Sequence, residues 1–315
     1  MTHVTVVLCT WNGSELLRDT LEHIGKCRVP DGLQWELIVV DNNSTEDIQA
    51  VVGEFEGQLP IRYILEPKQG LSHARNAGID AAQGELMIFT DNDVRPSEEW
   101  IAAYWKAFQE RPEGYYFGGS IRSRFEEGVK LPPELLEIAS GSVKGLDLGK
   151  DGPAEKTFFS ANWACTSEMV RKVGKFNPDF GISGDLQKSG EEDDVQMKLK
   201  KEGLKPWVVE AAWLWHYVPK RVGSLKYIKQ RWYSYGYFLG QNEVSADYKG
   251  RQLFGVPLYI IRKNIQITFV YALSRLTGNI NYKLLEKLLV LRGRFQAYRD
   301  FYQSNRNKAS SKANH

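Results

Sequence analysis

Two groups of acids in this chain stand where chemistry would want them. Asp91 and Asp93, in "FTDNDVRP", flank Asn92 and follow the apolar run "ELMI", so they lie where a strand should end. Mg²⁺ or Mn²⁺ prefers such hard oxygen ligands, usually one or two carboxylates completed by substrate phosphates and water. A metal held there would neutralise charge on a departing diphosphate. The same residue types also make an ordinary turn after a strand. The second group, "EEDD" at 191–194, opens a segment that ends in lysines and stops at Gly203, a charge order that suits a helix dipole. These acids are either a solvated helix start or the source of a general base, since a glutamate with a reference pKa near about 4.3 is already ionised at neutral pH.

Four further residues carry two readings each. Asp41, after "LIVV", can accept from a base or ribose donor, or close an Asx-turn within "DNNST". Trp11 can stack on a base or pack under the first loop. Arg75 sits in an amphipathic helix, where an arginine usually points to water, yet its planar fork also suits phosphate. His216, among apolar neighbours in "AAWLWHYVP", is a core imidazole or a third metal ligand.

The elements that must position these residues read as strand, helix, strand, helix. Residues 4–9, 35–40, 61–65 and 85–90 are short β-branched or apolar runs. Between them, Leu17, Leu21 and Ile24, then Leu71, Ala74, Gly78 and Ala81, have helical spacing. This predicts an α/β fold with a mostly parallel sheet and right-handed crossovers, whose ligands bind beyond the carboxyl ends of the strands. A helix is expected near 97–110 and a strand at "YYFGGSIRS", with no topology assigned from there to about 150. The Gly- and Ser-rich stretch 181–190 reads as a mobile loop beside the acidic helix start.

At 42% hydrophobic content the chain can bury a sizeable core. Cys9, Cys27 and Cys165 form no CxxC pair, which argues against a disulfide framework or zinc knuckle and for a reducing, cytoplasmic setting. The first residues show no secretory signal. Residues 219–315 carry 18 Lys and Arg against 4 acids, net +14, so a total of +2 leaves about −12 on residues 1–218. Within that tail, 253–276 is apolar but broken by Arg262, Lys263, Asn264 and Gln266, so it suits a surface-lying segment better than a membrane span. No nucleic-acid module is present in the pattern, and none is expected as a partner.

Five stretches in order, "VVLCTWNGSELLRDTL", "LIVVDNNSTED", "GLSHARNAGIDAAQGELMIFTDND", "SANWACTSEMVRKVGKFNPDFG" and "GEEDDVQMKLKKEG", resemble the family-2 glycosyltransferases of the GT-A fold over roughly residues 3–220. The resemblance implies a catalytic domain at 1–220 and a basic helical C-terminal region at 221–315. It implies that Thr10, Trp11 and Asn12 line the nucleotide pocket, that Asp41 reads the pyrimidine edge and that Arg75 lies near the diphosphate. Asp91 falls at the ribose and near the metal, Asn92 takes the family's variable middle position, and Asp93 binds Mn²⁺ or Mg²⁺ with His216 as a further ligand. Glu192 takes the catalytic-base position where the family commonly has Asp, with Glu191 and Asp193 as alternatives. Glu191, Asp194 and Trp163 fall on the acceptor side.

The implied activity is inverting transfer of a sugar from a nucleotide-diphosphate sugar, a UDP-sugar first, to a hydroxyl of a glycan or lipid-linked acceptor in cell-surface polysaccharide or glycoconjugate biosynthesis. The 181–190 loop would close over the donor. The alternatives are a dolichol-phosphate-type transferase, which needs no general base, and a non-catalytic sugar-nucleotide or glycan-binding member. For the tail, either Leu253, Phe254, Tyr259 and Phe269 enter the inner face of a membrane as its cations meet anionic lipid, or the helices pack on the catalytic domain or in an oligomer.

Overall fold

A computed structural model describes residues 2–313 except 181, 184, 185, 188, 189, 246–249, 277 and 279. They fall into two compact units, one from the described residues of 1–129, 141–186 and 191–220, the other from those of 130–140, 187–190 and 221–315. In chain order the first four strands and three helices are β1 (Val4–Thr10), α1 (Ser14–Ile24), β2 (Trp35–Asp41), α2 (Ile48–Gly53), β3 (Ile61–Leu65), α3 (Leu71–Ala81) and β4 (Leu86–Asp91). There follow β5 (Val94–Pro96), α4 (Trp100–Glu110), β6 (Tyr115–Gly118), β7 (Ile121–Phe125), α5 (Pro133–Ile138), α6 (Gly141–Lys144), β8 (Gly152–Pro153), β9 (Trp163–Thr166) and α7 (Ser167–Lys172). The remainder is β10 (Ile182–Ser183), β11 (Leu186–Gln187), α8 (Glu191–Lys201), β12 (Lys205–Val208), β13 (Leu214–Val218), α9 (Leu225–Ser245), β14 (Gln252–Leu253), β15 (Val256–Pro257), α10 (Leu258–Arg275) and α11 (Tyr282–Ala313).

The first unit is built on a sheet of order β3-β2-β1-β4-β9-β6-β12-β8. Every residue of β1 is buried, as befits a strand covered on both faces by helices. Leu17 and Leu21 of α1 pack with Trp100 and Tyr104 of α4 on one face; Ile79 of α3, Phe176 and Leu199 of α8 pack on the other. At Gly78 a Cβ would come within 2.4 Å of Val7, so the missing side chain lets α3 lie directly on β1. β1, β2, β3 and β4 run parallel, and register sets Cys9 beside Val40 and Asp91, and Thr10 beside Asp41. The strand order turns back between β1 and β4, the place where open sheets of this kind bind ligands.

A smaller sheet, β5-β13-β7, takes two short strands from the segment that carried no assigned topology. β13 runs antiparallel to β5 and pairs His216 with Val94, while Tyr217 N–H donates to the Asp93 carbonyl at 2.8 Å. The buried Thr20 hydroxyl of α1 lies 2.9 Å from Asn92 O and 2.8 Å from Val94 O, and accepts from Val94 N–H. The turn that bears both aspartates is thus held from two sides. The three cysteines are free and buried, and burial pushes the Cys9 and Cys165 thiols up to about 12.

In the second unit α9 packs along α11, with Gly236 and Gly293 at the closest approach, where a Cβ would fall 2.0 Å from Val290 O and 2.1 Å from Tyr233 O respectively. Arg294 pairs with Glu243 and donates to Tyr259 OH at 2.8 Å. Tyr259 is therefore tied into the helices, whereas Leu253, Phe254 and Phe269 are exposed. Among the described residues no helix is long and apolar enough to cross a membrane.

The first unit has a polar knot in its core. Asn162, fully buried, accepts from Trp100 Nε1–H and Tyr104 O–H at 2.8 Å each and donates to the Ser120 and Ala212 carbonyls at 3.1 and 2.8 Å. Asn162→Leu would strand two buried donors and two acceptors, and we expect it to lower unfolding free energy by roughly 3–5 kcal/mol. Urea titration followed by circular dichroism checks this; a loss below about 1 kcal/mol would show that the four bonds are replaceable by packing.

Candidate active site

The crevice at the strand ends begins with Asp41, buried at the end of β2. Its Oδ1 accepts from Ser44 N–H at 2.9 Å and its Oδ2 from the Tyr63 hydroxyl at 2.8 Å, so the Asx-turn is formed. Burial, then the Asp41 contact, pushes the Tyr63 phenol up to about 12. Trp11, at 44% exposure, does not pack under its loop and offers its ring to solvent. Asn12 takes a left-handed φ of 59°, donates its N–H to Ser44 Oγ at 2.8 Å and accepts through Oδ1 from Thr45 N–H at 2.8 Å. Its carbonyl accepts from Asn92 Nδ2 at 3.0 Å, and the same amide donates to Thr10 Oγ1 at 2.9 Å. Thr10, Asn12 and Asn92 therefore lace together the loops after β1, β2 and β4.

Sequence reasoning missed Glu46, which accepts from Gly13 N–H at 2.9 Å and Ser14 N–H at 2.8 Å. These are the first free amides of α1, and their hydrogen bonds hold the Glu46 carboxyl below its usual range. The acid of "NSTED" in the neighbouring loop was visible, but its partner lies 32 to 33 residues away.

Arg75 points inward, 1% exposed. Its Nη2 donates to Asp91 Oδ1 at 3.2 Å, its Nη1 to Glu191 Oε1 at 3.3 Å, and its guanidinium lies 5.2 Å from the centre of the Phe176 ring. Burial works against this charge, but Asp91 and Glu191 outweigh it and hold the group protonated. One cation thus joins Asp91 to the acidic start of α8.

Asp93 faces His216, with Oδ2 3.6 Å from Nε2. Asp93 Oδ1 and His216 Nδ1 are buried with no hydrogen-bond partner. Burial raises the Asp93 carboxyl, His216 pulls it down and Asp91 pushes it up again. Among the described residues no three His, Cys, Asp or Glu side chains gather as a closed cage. One carboxylate with an orphaned oxygen and one imidazole fit a divalent ion that completes its shell with diphosphate oxygens and water.

At the start of α8 the four acids divide. Glu191 is buried against Arg75, Asp193 accepts from the Thr157 hydroxyl, and Asp194 pairs with Lys198 at 2.7 Å. Glu192 differs: its Oε2 is buried without a hydrogen-bond partner. Burial, then Glu191 and Asp193, raises its carboxyl well above the ordinary range, against the pull of Arg75. Trp163, expected on the acceptor side, is a correction. It is fully buried in β9 and stacked on Phe89 with ring centroids 4.7 Å apart, so it supports the floor of the crevice and cannot touch an acceptor. The expected lid at 181–190 lies largely outside the described residues.

Residues 5–171 match the family described as glycosyl transferase family 2. The chain belongs to that family. Among curated relatives, the succinoglycan biosynthesis protein ExoM of Rhizobium meliloti is 22% identical over 81% of this chain and 80% of its own length. The fold is that of S. aureus TarS 1–349, solved with UDP-GlcNAc, at a TM-score of 0.56 and 16% identity over 98% of this chain and 92% of that one. The mannosyltransferase PcManGT of Pyrobaculum calidifontis, solved with GDP-Man and Mn²⁺, gives a TM-score of 0.54 at 17% identity over 99% and 74%.

The raised Glu192 carboxyl has a consequence for the stability of this family 2 chain. A group with a higher pKa folded than unfolded binds its proton more tightly in the folded state. Its contribution to stability is present below the unfolded value, about 4.3, and is lost as pH rises through the folded value. Glu192→Gln should therefore flatten the fall in stability above about pH 4 and be at least as stable as the parent at neutral pH. Urea titrations of both proteins across that range, without ligands, test it; parallel curves would show that Glu192 does not titrate abnormally.

Proposed function

We propose that this family 2 protein is an inverting glycosyltransferase that moves a sugar from a nucleotide-diphosphate sugar, UDP-linked first, to a hydroxyl of a glycan or lipid-linked acceptor in polysaccharide assembly. The observation that carries the reading is Arg75, which ties Asp91 at the end of β4 to Glu191 at the start of α8, next in the chain to Glu192, whose buried Oε2 has no hydrogen-bond partner. Asp41 and Trp11 stand at the nucleotide end, the first as acceptor, the second as a free ring face. Asp93 and His216 would hold Mn²⁺ or Mg²⁺, which when bound supplies positive charge to the departing diphosphate. In its ionised form Glu192, a stronger base for its raised carboxyl, accepts the acceptor hydroxyl's proton, so that the oxygen attacks the anomeric carbon from the face opposite the diphosphate. Arg75 holds Glu191 and Asp91 in place.

A lipid-phosphate nucleophile would need no base, so the unengaged Glu192 favours a hydroxyl acceptor over the dolichol-phosphate-type reaction. The ExoM name supports polysaccharide assembly, and the TarS complex supports a UDP-sugar. Donor hydrolysis tests the reading: with Mn²⁺ or Mg²⁺ and a panel of UDP-, dTDP- and GDP-sugars, one donor should release nucleotide diphosphate. Asp93→Ala or chelation should slow release by about 100-fold or more. If no nucleotide binds by calorimetry, the donor site is refuted.

We also propose that α10 rests on the inner face of an anionic membrane. Ile265, Phe269 and Leu273 are exposed along it and Leu276 just past its end, and residues 250–285 hold five Lys and Arg and no acid. The protein should sediment with phosphatidylglycerol vesicles and not with phosphatidylcholine vesicles, at a few-fold per neutralised cation. Phe269→Asp with Leu273→Asp should abolish the difference. Equal sedimentation of parent and double variant would rule the surface out.

A further inference from the structure

β13 separates two chemistries by the alternation of its side chains. His216 turns toward Asp93, so Trp215 and Tyr217 turn to the opposite face of the small sheet. Register sets Trp215 beside Arg95 and Arg122, and Tyr217 beside Arg124. The result is a ladder of alternating cations and rings. The Arg122 guanidinium lies 3.8 Å from the Trp213 ring centre and 5.8 Å from that of Trp215, and Arg124 lies 4.8 Å from that of Tyr217. Asp19 accepts from both Arg95 and Arg124, at 2.7 and 3.2 Å. Arg122 forms no ion pair among the described residues, and Trp215 is 39% exposed.

This ladder borders a cleft of about 670 Å³, within the usual range for a bound small ligand, whose walls include Trp213, Trp215, Arg95, His23 and Lys26. Glu98 and Glu99 line it as well, and Glu99 is paired with Arg28.

We propose that this face is a second carbohydrate site, which holds an anionic stretch of the saccharide chain on which the enzyme acts. The exposed Trp215 indole, beside the half-buried Trp213 in the cleft wall, offers a flat apolar face to the C–H faces of pyranose rings. The Arg122 fork and Lys26 suit sparse carboxylate substituents, and Glu98 accepts from sugar hydroxyls. A nucleic acid suits the face less well. Its dense phosphates would meet Glu98 and Glu99 at the wall and about −12 of net charge on residues 1–218. The site backs onto the Asp93–His216 pair across one layer of sheet, so a chain held here stays beside the crevice. The proposal rests on the transferase reading for its ligand, but binding can be measured without turnover.

The full-length protein is titrated with a hexasaccharide of alternating glucuronate and N-acetylglucosamine, with maltohexaose and with a short oligothymidylate, reading tryptophan fluorescence. UDP binding to the same proteins is followed by calorimetry. The anionic hexasaccharide should bind more tightly than maltohexaose. Its affinity should fall about tenfold in Trp215→Ala and in Arg122→Ala, with UDP affinity unchanged in both. Absence of hexasaccharide binding, affinity unaltered in both variants, or tighter binding of oligothymidylate would overturn the second site. Hexasaccharide binding with those variant effects in a protein that binds no UDP would uphold the site and refute only the donor reading.

Discussion

A single buried guanidinium governs the crevice. Arg75 leaves α3 on the side that faces the sheet, and its two nitrogen ends meet carboxylates from β4 and α8. Taking such a charge out of water is costly, and it is tolerated because two acids and the Phe176 ring receive it. The dependence is mutual: without Arg75, Asp91 and Glu191 would be like charges held in a partly dry site with nothing between them. Gly78 contributes from one turn further along the same helix, because only a residue without a side chain lets α3 approach β1 this closely.

Around that centre, polar side chains are used mainly to hold backbone. Thr20 clamps the turn that carries Asp91 and Asp93 from below, while Asn12, Asn92 and Thr10 bind three loops to one another above it. The small sheet adds the last constraint by carrying His216 to Asp93. Asp93 Oδ1, His216 Nδ1 and Glu192 Oε2 are among the buried polar atoms that this frame leaves without a hydrogen-bond partner. Orientation is settled before any ligand arrives, the arrangement that electrostatic catalysis requires.

Much of this could be read from the chain. Runs such as "VTVVLC" and "LIVV" announce buried parallel strands, and acids directly after them mark strand ends. Arg75 shows where such reading stops. Helical spacing alone turns an arginine toward water, and its burial depends on acids 16 and 116 residues away. The four acids at 191–194 are alike in sequence, and only their tertiary partners single out Glu192. Trp163 went astray because its place within a recognised motif says nothing about which side of a strand is covered. The region from 95 to 150 resisted because its strands are only three to five residues long and its organising residue, Asn162, is polar where a core residue is expected to be apolar.

Glu46 imposes a condition of electroneutrality. In many nucleotide-binding sheets the first helix offers its open amides to phosphate. Here a side chain of the same protein already occupies two of them. The mouth of the crevice holds Asp41, Asp91, Asp93, Glu191 and Glu192 against Arg75, a cation both buried and spoken for. A phosphate entering such a place finds these two amides of α1 already engaged by Glu46. The loss of their attraction is thus written into a helix cap rather than into the acids of the crevice.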